Sequence, residues 1–169
     1  MALLGACTSY EIAGRVDRLG GPLEPNSVHI VWSKNKPESL VTKHERGYGL
    51  QKPTITAEDQ QKLSVTRKHI FFELGNKLVP KLKAALSPYI REGGEAKTIL
   101  KLELNRIAID TDGSRDITLT ATLTQPPSPM ESWSRKIQIY APRFGSDEAI
   151  STNIAEAVVS QLRSSALVN

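Results

Sequence analysis

The stretch Leu100-Lys101-Leu102-Glu103-Leu104 alternates apolar and polar residues at every position. Strict alternation predicts a β-strand with one buried and one solvated face. The same pattern returns in Ile117-Thr118-Leu119-Thr120-Ala121-Thr122-Leu123, where every second residue is threonine. We therefore expect two strands whose leucine-bearing faces pack on the same core, with Leu102 and Leu119 on the covered face and Thr120 on a wet face.

The connection between these two runs carries two local signals. Ile107 and Ile109 continue the apolar positions one residue out of phase, which predicts a β-bulge near Asn105 and Arg106. The sequence Thr-Asp-Gly-Ser at 111–114 is a hairpin turn signal. The two runs are therefore expected to pair as an antiparallel hairpin.

Residues 126–129 contain three prolines and are expected to form a loop, because proline cannot lie in a central strand. A third strand is expected after this loop. In this strand Trp133, Arg135, Ile137 and Ile139 share one parity and so one face. The three runs together predict an antiparallel sheet.

A long helix is expected before the three strands, with Thr56 as its N-cap. Apolar residues recur every four positions and form one stripe. The stripe consists of Ile70, Leu74, Leu78, Leu82 and Leu86. Pro80 predicts a kink or two consecutive helices, and Leu74 is expected to pack near Leu102 and Leu119.

A second helix is expected after Gly145-Ser146, with Asp147 and Glu148 in its first turn, where acidic residues favour the helix dipole. Its expected buried face includes Val158 near Leu119. The full face is Ile150, Ile154, Ala157, Val158, Leu162 and Ala166.

Residues 27–32 are β-branched and aromatic and predict a first strand, and 10–16 is compatible with a short edge strand. The order strand-helix-strand-strand-strand-helix predicts an α+β fold. It has two layers, a mainly antiparallel sheet with helices on one face.

The segment 35–56 contains prolines, glycines and few periodic apolar residues, so it is expected to be irregular, mobile and the best contact surface. Basic residues concentrate around it. The candidate partner or headgroup contacts are Lys34, Lys36, Lys43, Arg46, Tyr48 and Lys52.

No catalytic or metal-binding constellation is recognisable. His29, His44 and His69 lack metal-ligand spacing, and no cofactor motif is present. Asp110 to Gly113 opens like a calcium loop, but the twelfth position is Ala121 rather than glutamate. The sequence predicts a protein without enzymatic activity, cofactor or metal.

The composition is that of one globular domain. The chain has 169 residues, 39% hydrophobic and 24% charged, with a formal net charge of +4. A basic balance permits contact with phosphate-rich partners, yet the 5% aromatic content makes nucleic-acid recognition an unfavoured expectation. A single cysteine excludes an internal disulfide framework.

Leu4-Gly5-Ala6-Cys7 resembles the lipobox of bacterial lipoproteins. The resemblance implies that the chain is cut before Cys7, so that Cys7 becomes the first residue and is acylated. In this family pattern Thr8 after the cysteine favours sorting to the outer membrane. Only six residues, none basic, precede Cys7, which is too few for a secretory signal. Three explanations are open: the true start lies upstream of Met1, the chain has been trimmed, or the match is accidental and Cys7 is an ordinary free thiol. The expected organisation is a signal remnant with lipidation site at 1–7, a tether at 8–26 and one α+β domain at 27–169.

With this lipobox, the order of elements resembles small outer-membrane lipoproteins, such as auxiliary lipoproteins of ABC-type transport and the curli-secretion group. The resemblance implies a periplasmic, lipid-anchored interaction or assembly domain without catalysis. Its expected partners are outer-membrane lipid through Cys7 and an envelope protein of a transport or secretion system. The alternative is a soluble cytoplasmic module that binds nucleic acid or another phosphate-rich partner.

Overall fold

The computed structural model describes residues 10–19, 21–42, 56–110, 113–128, 130–142 and 145–169. Within them lie six strands and two helices. The strands are β1 (Tyr10–Asp17), β2 (Val28–Trp32), β3 (Glu38–Thr42), β4 (Thr98–Asp110), β5 (Arg115–Thr124) and β6 (Glu131–Ala141). The helices are α1 (Ala57–Ala85) and α2 (Asp147–Ser164). Neither described helix is both long and apolar enough to cross a membrane.

All six strands form one mixed sheet. The order is β1-β6-β5-β4-β2, and β3 also pairs with β4. The three pairings from β1 to β4 are antiparallel, while β2 and β3 run parallel to β4. Helix α1 packs on α2 and on β2, β3 and β4, and α2 packs on β6. This arrangement confirms the predicted two-layer α+β fold with a mainly antiparallel sheet.

Two short strands share one edge of β4. Val28–Trp32 pairs with the first part of β4, and Glu38–Thr42 pairs with its last five residues, Arg106–Asp110. The prediction of an irregular segment is therefore wrong for 38–42, and the predicted element order lacked this strand. A five-residue strand carries too short a periodic signal on its own, and β3 is defined by a partner more than sixty residues away in sequence.

The N-terminal edge strand β1 lies inside the stretch expected to be a tether. Tyr10–Asp17 pairs with β6, from Tyr10 opposite Ile139 to Asp17 opposite Trp133. Residues 10–17 therefore belong to the sheet, and Leu23 is buried in the core as well. The edge strand expected at 10–16 is confirmed.

The β-bulge in β4 is confirmed. Leu104 pairs with Leu119 and Arg106 pairs with Thr118, so Asn105 is the inserted residue. Asn105 Oδ1 accepts a hydrogen bond from the hydroxyl of Thr120, 2.6 Å away. The bulge shifts the alternation by one residue and returns the apolar side chains that follow to the core.

The core lies between the sheet and the two helices, as the leucine pattern predicts. Leu74, Leu102, Leu119 and Val158 all belong to one buried hydrophobic cluster. The opposite face of the sheet is drier than expected, because Thr118 and Thr122 are only 4% and 7% exposed. Short side chains in a central strand are shielded by longer residues on both neighbouring strands; for Thr118 these are Arg106 and Gln138.

Helix α1 continues through Pro80 as a single element, so the alternative of two consecutive helices is wrong. A proline inside a helix removes one backbone hydrogen bond, but Leu78 and Leu82 on either side are fully buried and hold both halves on the core. The helix approaches β2 closely at Gly75, where a Cβ atom would lie 2.8 Å from Trp32 Nε1.

Helix α2 begins as predicted. Ser146 is the N-cap, and its hydroxyl oxygen accepts a hydrogen bond from the backbone N–H of Ala149 at 3.1 Å. The prediction that Ala166 belongs to the buried face is wrong. The helix ends at Ser164, and Ala166 is an exposed residue with a φ of 55° just beyond the C-cap.

Candidate interaction surface

Lys34 and Lys36 are the predicted contact residues that the structure describes. Both are exposed on the loop that joins β2 to β3. The other predicted residues lie outside the described part of the chain. These are Cys7, Lys43, Arg46, Tyr48 and Lys52. The structure thus brings two of the predicted cations onto one loop at the edge of the sheet formed by β2 and β3.

The loop is hydrogen bonded to β4 at the point where the pairing of β4 passes from β2 to β3. The backbone N–H of Ser33 donates to the Leu102 carbonyl oxygen at 2.8 Å. Asn35 donates from Nδ2 to Oε1 of Glu103 at 2.7 Å. Asn35 lies between the two lysines, so this bond attaches the loop to β4 between two exposed residues.

The carboxylate of Glu103 is the centre of this small polar cluster. Lys101 Nζ donates to its Oε2 at 2.8 Å, in addition to the bond from Asn35. Donation first from Lys101 and then from Asn35 lowers the pKa of Glu103 below its ordinary value, outweighing the opposite effect of partial burial. The loop is therefore attached to an acceptor that stays ionised at neutral pH.

The histidines do not form a metal site in the part of the chain that the structure describes. His29 is exposed on β2, His69 lies in α1, and His44 falls outside the described residues. No group of three histidine, cysteine, aspartate or glutamate side chains with metal-binding geometry occurs among the described residues.

A cleft of about 840 Å³ lies at the end of the sheet where β2 and β4 begin. His29 and Ile99 of these strands line it together with Pro126 and Pro127. One of its charged residues, Lys97, forms an ion pair within the protein, since its Nζ lies 2.6 Å from Glu24 Oε2. The lining of the cleft thus combines apolar residues with charged residues of both signs.

A second concavity of about 680 Å³ lies between the two helices. Its lining includes the small side chains Ala84, Ala85 and Ala155. Lys81 at its rim is paired with Glu148 of α2, and this ammonium lowers the pKa of the Glu148 carboxyl. The pair links α1 to the first turn of α2.

Arg135 is the residue whose role the sequence interpretation missed. It is only 2% exposed and lies on the core-facing side of β6 with Trp133 and Ile137. Its Nη1 donates to the carbonyl oxygens of Val16 and Ser134 at 3.1 and 2.8 Å. The signal was present, because Arg135 shares the parity of the apolar residues.

The other donors of Arg135 reach two further segments. Nη2 donates to Asp17 Oδ1 at 2.7 Å and to Ser165 Oγ at 2.8 Å, and Nε donates to Gln161 Oε1 at 3.4 Å. Each guanidinium N–H thus has an acceptor, which offsets the cost of burying the charge. The guanidinium also lies 5.0 Å from the ring centroid of Trp133.

The Arg135 cluster joins the end of β1, strand β6 and the C-terminus of α2. The indole Nε1 of Trp133 donates to the same Ser165 hydroxyl oxygen at 3.1 Å. Ser165 is the C-cap of α2, so the arginine and the tryptophan both hold the end of this helix. These contacts give the cluster a structural role.

No protein-family model and no curated protein matches the sequence. Among solved structures, the chain is similar to the PelC dodecamer from Paraburkholderia phytofirmans, with 13% identity, 92% of this chain and 96% of that chain covered, and a TM-score of 0.48. It is also similar to protein XCC0632 from Xanthomonas campestris, of family DUF330, with 14% identity, 88% and 93% coverage and a TM-score of 0.43. Similarities of this size carry no inference about function.

Proposed function

We propose that this chain is a lipid-anchored interaction domain of the bacterial cell envelope, without catalytic activity of its own. The observation that carries the proposal is the lipobox-like Leu4-Gly5-Ala6-Cys7, followed after two residues by the first strand of the sheet. In this proposal acylated Cys7 holds the domain at the outer membrane, on the periplasmic side. A processed cysteine with several acyl chains anchors stably, whereas a single chain does not.

The surface loop of β2 and β3 supports a binding role. Lys34 and Lys36 are exposed on either side of Asn35, which is hydrogen bonded to Glu103, so the loop that carries both cations is attached to β4. Cations on such a loop suit an acidic protein surface. We therefore propose an envelope protein as the partner, with the domain auxiliary to a transport or secretion assembly.

Metabolic labelling tests the anchor. The complete gene with its upstream region is expressed in a Gram-negative host with an alkyne fatty acid, as wild type and as Cys7→Ser. We expect label in the wild type alone, and Lys34→Ala serves as a matched control that keeps the label. Label in neither protein, or equal label in both, contradicts the proposal.

Site-specific photo-crosslinking tests the partner. A photoreactive residue at position 34 or 36 is expected to yield a discrete crosslinked envelope protein, whereas the same residue at exposed Glu92, far from this loop in sequence, yields none. Crosslinking to nucleic acid, together with an in-frame stop codon immediately upstream of Met1, would instead favour a cytoplasmic module that binds phosphate-rich partners.

A further inference from the structure

The distance between Cys7 and the folded domain is short. Strand β1 begins at Tyr10, so only Thr8 and Ser9 separate the cysteine from the sheet. Three residue steps span at most about 10 Å in a fully extended chain. The headgroup region on each side of a bilayer is about 5–8 Å thick, so an anchor of this length holds the start of β1 close to the membrane surface.

The start of β1 identifies which end of the domain this is. Tyr10 pairs with Ile139, near the end of β6. Strand β5 begins at this end, because Arg115 pairs with Ala141, and α2 follows from it at Asp147. The opposite end of β6, near Met130, is about 30 Å away at the usual rise of a strand.

An exposed aromatic residue lies at the anchored end. Tyr140, next to Ile139, is 45% exposed and is one of three large apolar side chains that the structure shows as exposed. Tyrosine is favoured at the membrane interface, where its ring meets the apolar boundary and its hydroxyl meets water. A membrane-facing position gives this exposed ring a favourable environment.

Three of the charged side chains described at this end, Arg115, Asp147 and Asp116, have hydrogen-bond partners within the protein. Arg115 donates from Nη1 to Asp147 at 2.5 Å and from Nη2 to the Gly145 carbonyl oxygen at 2.7 Å. Gln138 Nε2 donates to both carboxylate oxygens of Asp116, at 2.9 and 3.1 Å. Groups with internal partners lose less on partial dehydration than isolated charges do.

We propose that the end of the sheet bearing Tyr140 faces the bilayer that holds acylated Cys7, with the Tyr140 ring in the headgroup layer. This inference rests on the proposed function, since Cys7 supplies the anchor. The occupant of this surface is the lipid itself. The opposite end, with the cleft beside Pro126 and Pro127, then points toward the periplasm.

The single cysteine permits a direct test with the full chain. Cys7 is coupled to a maleimide-headgroup lipid in phosphatidylethanolamine–phosphatidylglycerol vesicles, with or without lipids brominated on the acyl chains. Tyr140→Trp and Met130→Trp, both at exposed positions, are compared with the parent, which contains only Trp32 and Trp133. We expect the emission added by Tyr140→Trp to be lost to bromine quenching, while that added by Met130→Trp is retained.

The unsubstituted chain supplies a second measurement. On coupling, amide hydrogen exchange is expected to slow at 139–141 and to stay unchanged at Gln125 and Ser128, the amide-bearing residues on either side of Pro126 and Pro127. Quenching at position 130 alone, equal quenching at both positions, or no quenching at either overturns the orientation. If Cys7 is acylated in cells and the quenching result is negative, this inference fails and the anchor remains. If Cys7 is not acylated in cells, both fail.

Discussion

Asp17 Oδ1 lies 2.7 Å from Arg135 Nη2, so a carboxylate at the end of the edge strand neutralises a guanidinium that is 2% exposed on the core side of β6. The aspartate itself is 34% exposed, which makes the pair half open to water. Removal of the aspartate leaves the buried guanidinium without its counter-ion, which is energetically costly.

We expect Asp17→Ala to lower the free energy of unfolding by about 2–3 kcal/mol, below the value for a fully buried pair because solvent screens the exposed aspartate. Urea denaturation measures the change. Glu24→Ala is the matched control, because it removes the exposed pair with Lys97 and should cost about 0–1 kcal/mol. Equal losses of unfolding free energy in the two variants would show that the Asp17–Arg135 pair stabilises the protein no more than an exposed ion pair does.

The second prediction concerns the charge of Arg135. In an Asp17→Ala background, Arg135→Met is expected to recover part of the lost stability, because it removes the unpaired buried charge and retains much of the side-chain volume. A double-mutant cycle measures the coupling, expected at about 1–3 kcal/mol. Strictly additive losses would argue that Arg135 acts through packing alone.

The third prediction concerns the close approach of α1 to β2. Gly75→Ala gains about 1 kcal/mol of helix propensity, but its Cβ would lie 2.8 Å from the Trp32 ring. Overpacking typically costs about 1–3 kcal/mol, so we expect net destabilisation. In a Trp32→Leu background the same substitution should become neutral or stabilising. Asn76→Ala, at the exposed neighbouring position, is the control, and thermal melts decide the sign.

The fourth prediction compares the two faces of β5. Leu119→Ala removes a side chain that is 1% exposed and should cost about 2–5 kcal/mol. Thr120→Ala removes the hydrogen bond to Asn105 and should cost about 0.5–1.5 kcal/mol. Urea melts of both variants provide the comparison. A larger loss for Thr120→Ala would mean that the faces of β5 are assigned the wrong way round.

The fifth prediction is a pH dependence at Glu103. Its pKa is lower in the folded protein than the ordinary value of 4.5 because Lys101 and Asn35 donate to it. The stabilisation that ionised Glu103 gives the folded state is therefore fully present above about pH 4.5, and it is lost as the pH falls through the folded-state pKa of Glu103. Stability measured from pH 7 to pH 3 should fall more for the wild type than for Glu103→Gln. Parallel curves would contradict the assignment.

Much of the fold follows from the sequence because its signals are local and repeated. The alternation around Leu102 and Leu119 predicts the strands, and the phase change after Leu104 predicts the bulge. The four-residue spacing from Leu74 to Leu86 predicts the buried stripe of α1. In each case the covered face is set by the period of the element itself.

The remaining features depend on contacts between distant residues. Strand β3 has five residues and is defined by pairing with β4, which no short periodic pattern reveals. Arg135 carries its charge into the core because Asp17, Gln161 and Ser165 meet there from other segments. The predicted contact residues were chosen because basic residues concentrate in this part of the sequence. That concentration identifies Lys34 and Lys36, but it does not reveal the hydrogen bond between Asn35 and Glu103 that attaches their loop to β4.

The position of β1 has a kinetic consequence. Of the six described strands β1 comes first in the chain, and its partner β6 begins 114 residues after the last residue of β1. The local meander of β4, β5 and β6 closes short loops, whereas pairing of β1 closes a long one, and long-range pairing is slow. We therefore expect β1 to join the sheet last, with the unpaired edge of β6 exposed until then. Slower exchange protection of Ile12 than of Leu102 during pulse-labelled refolding would show this order.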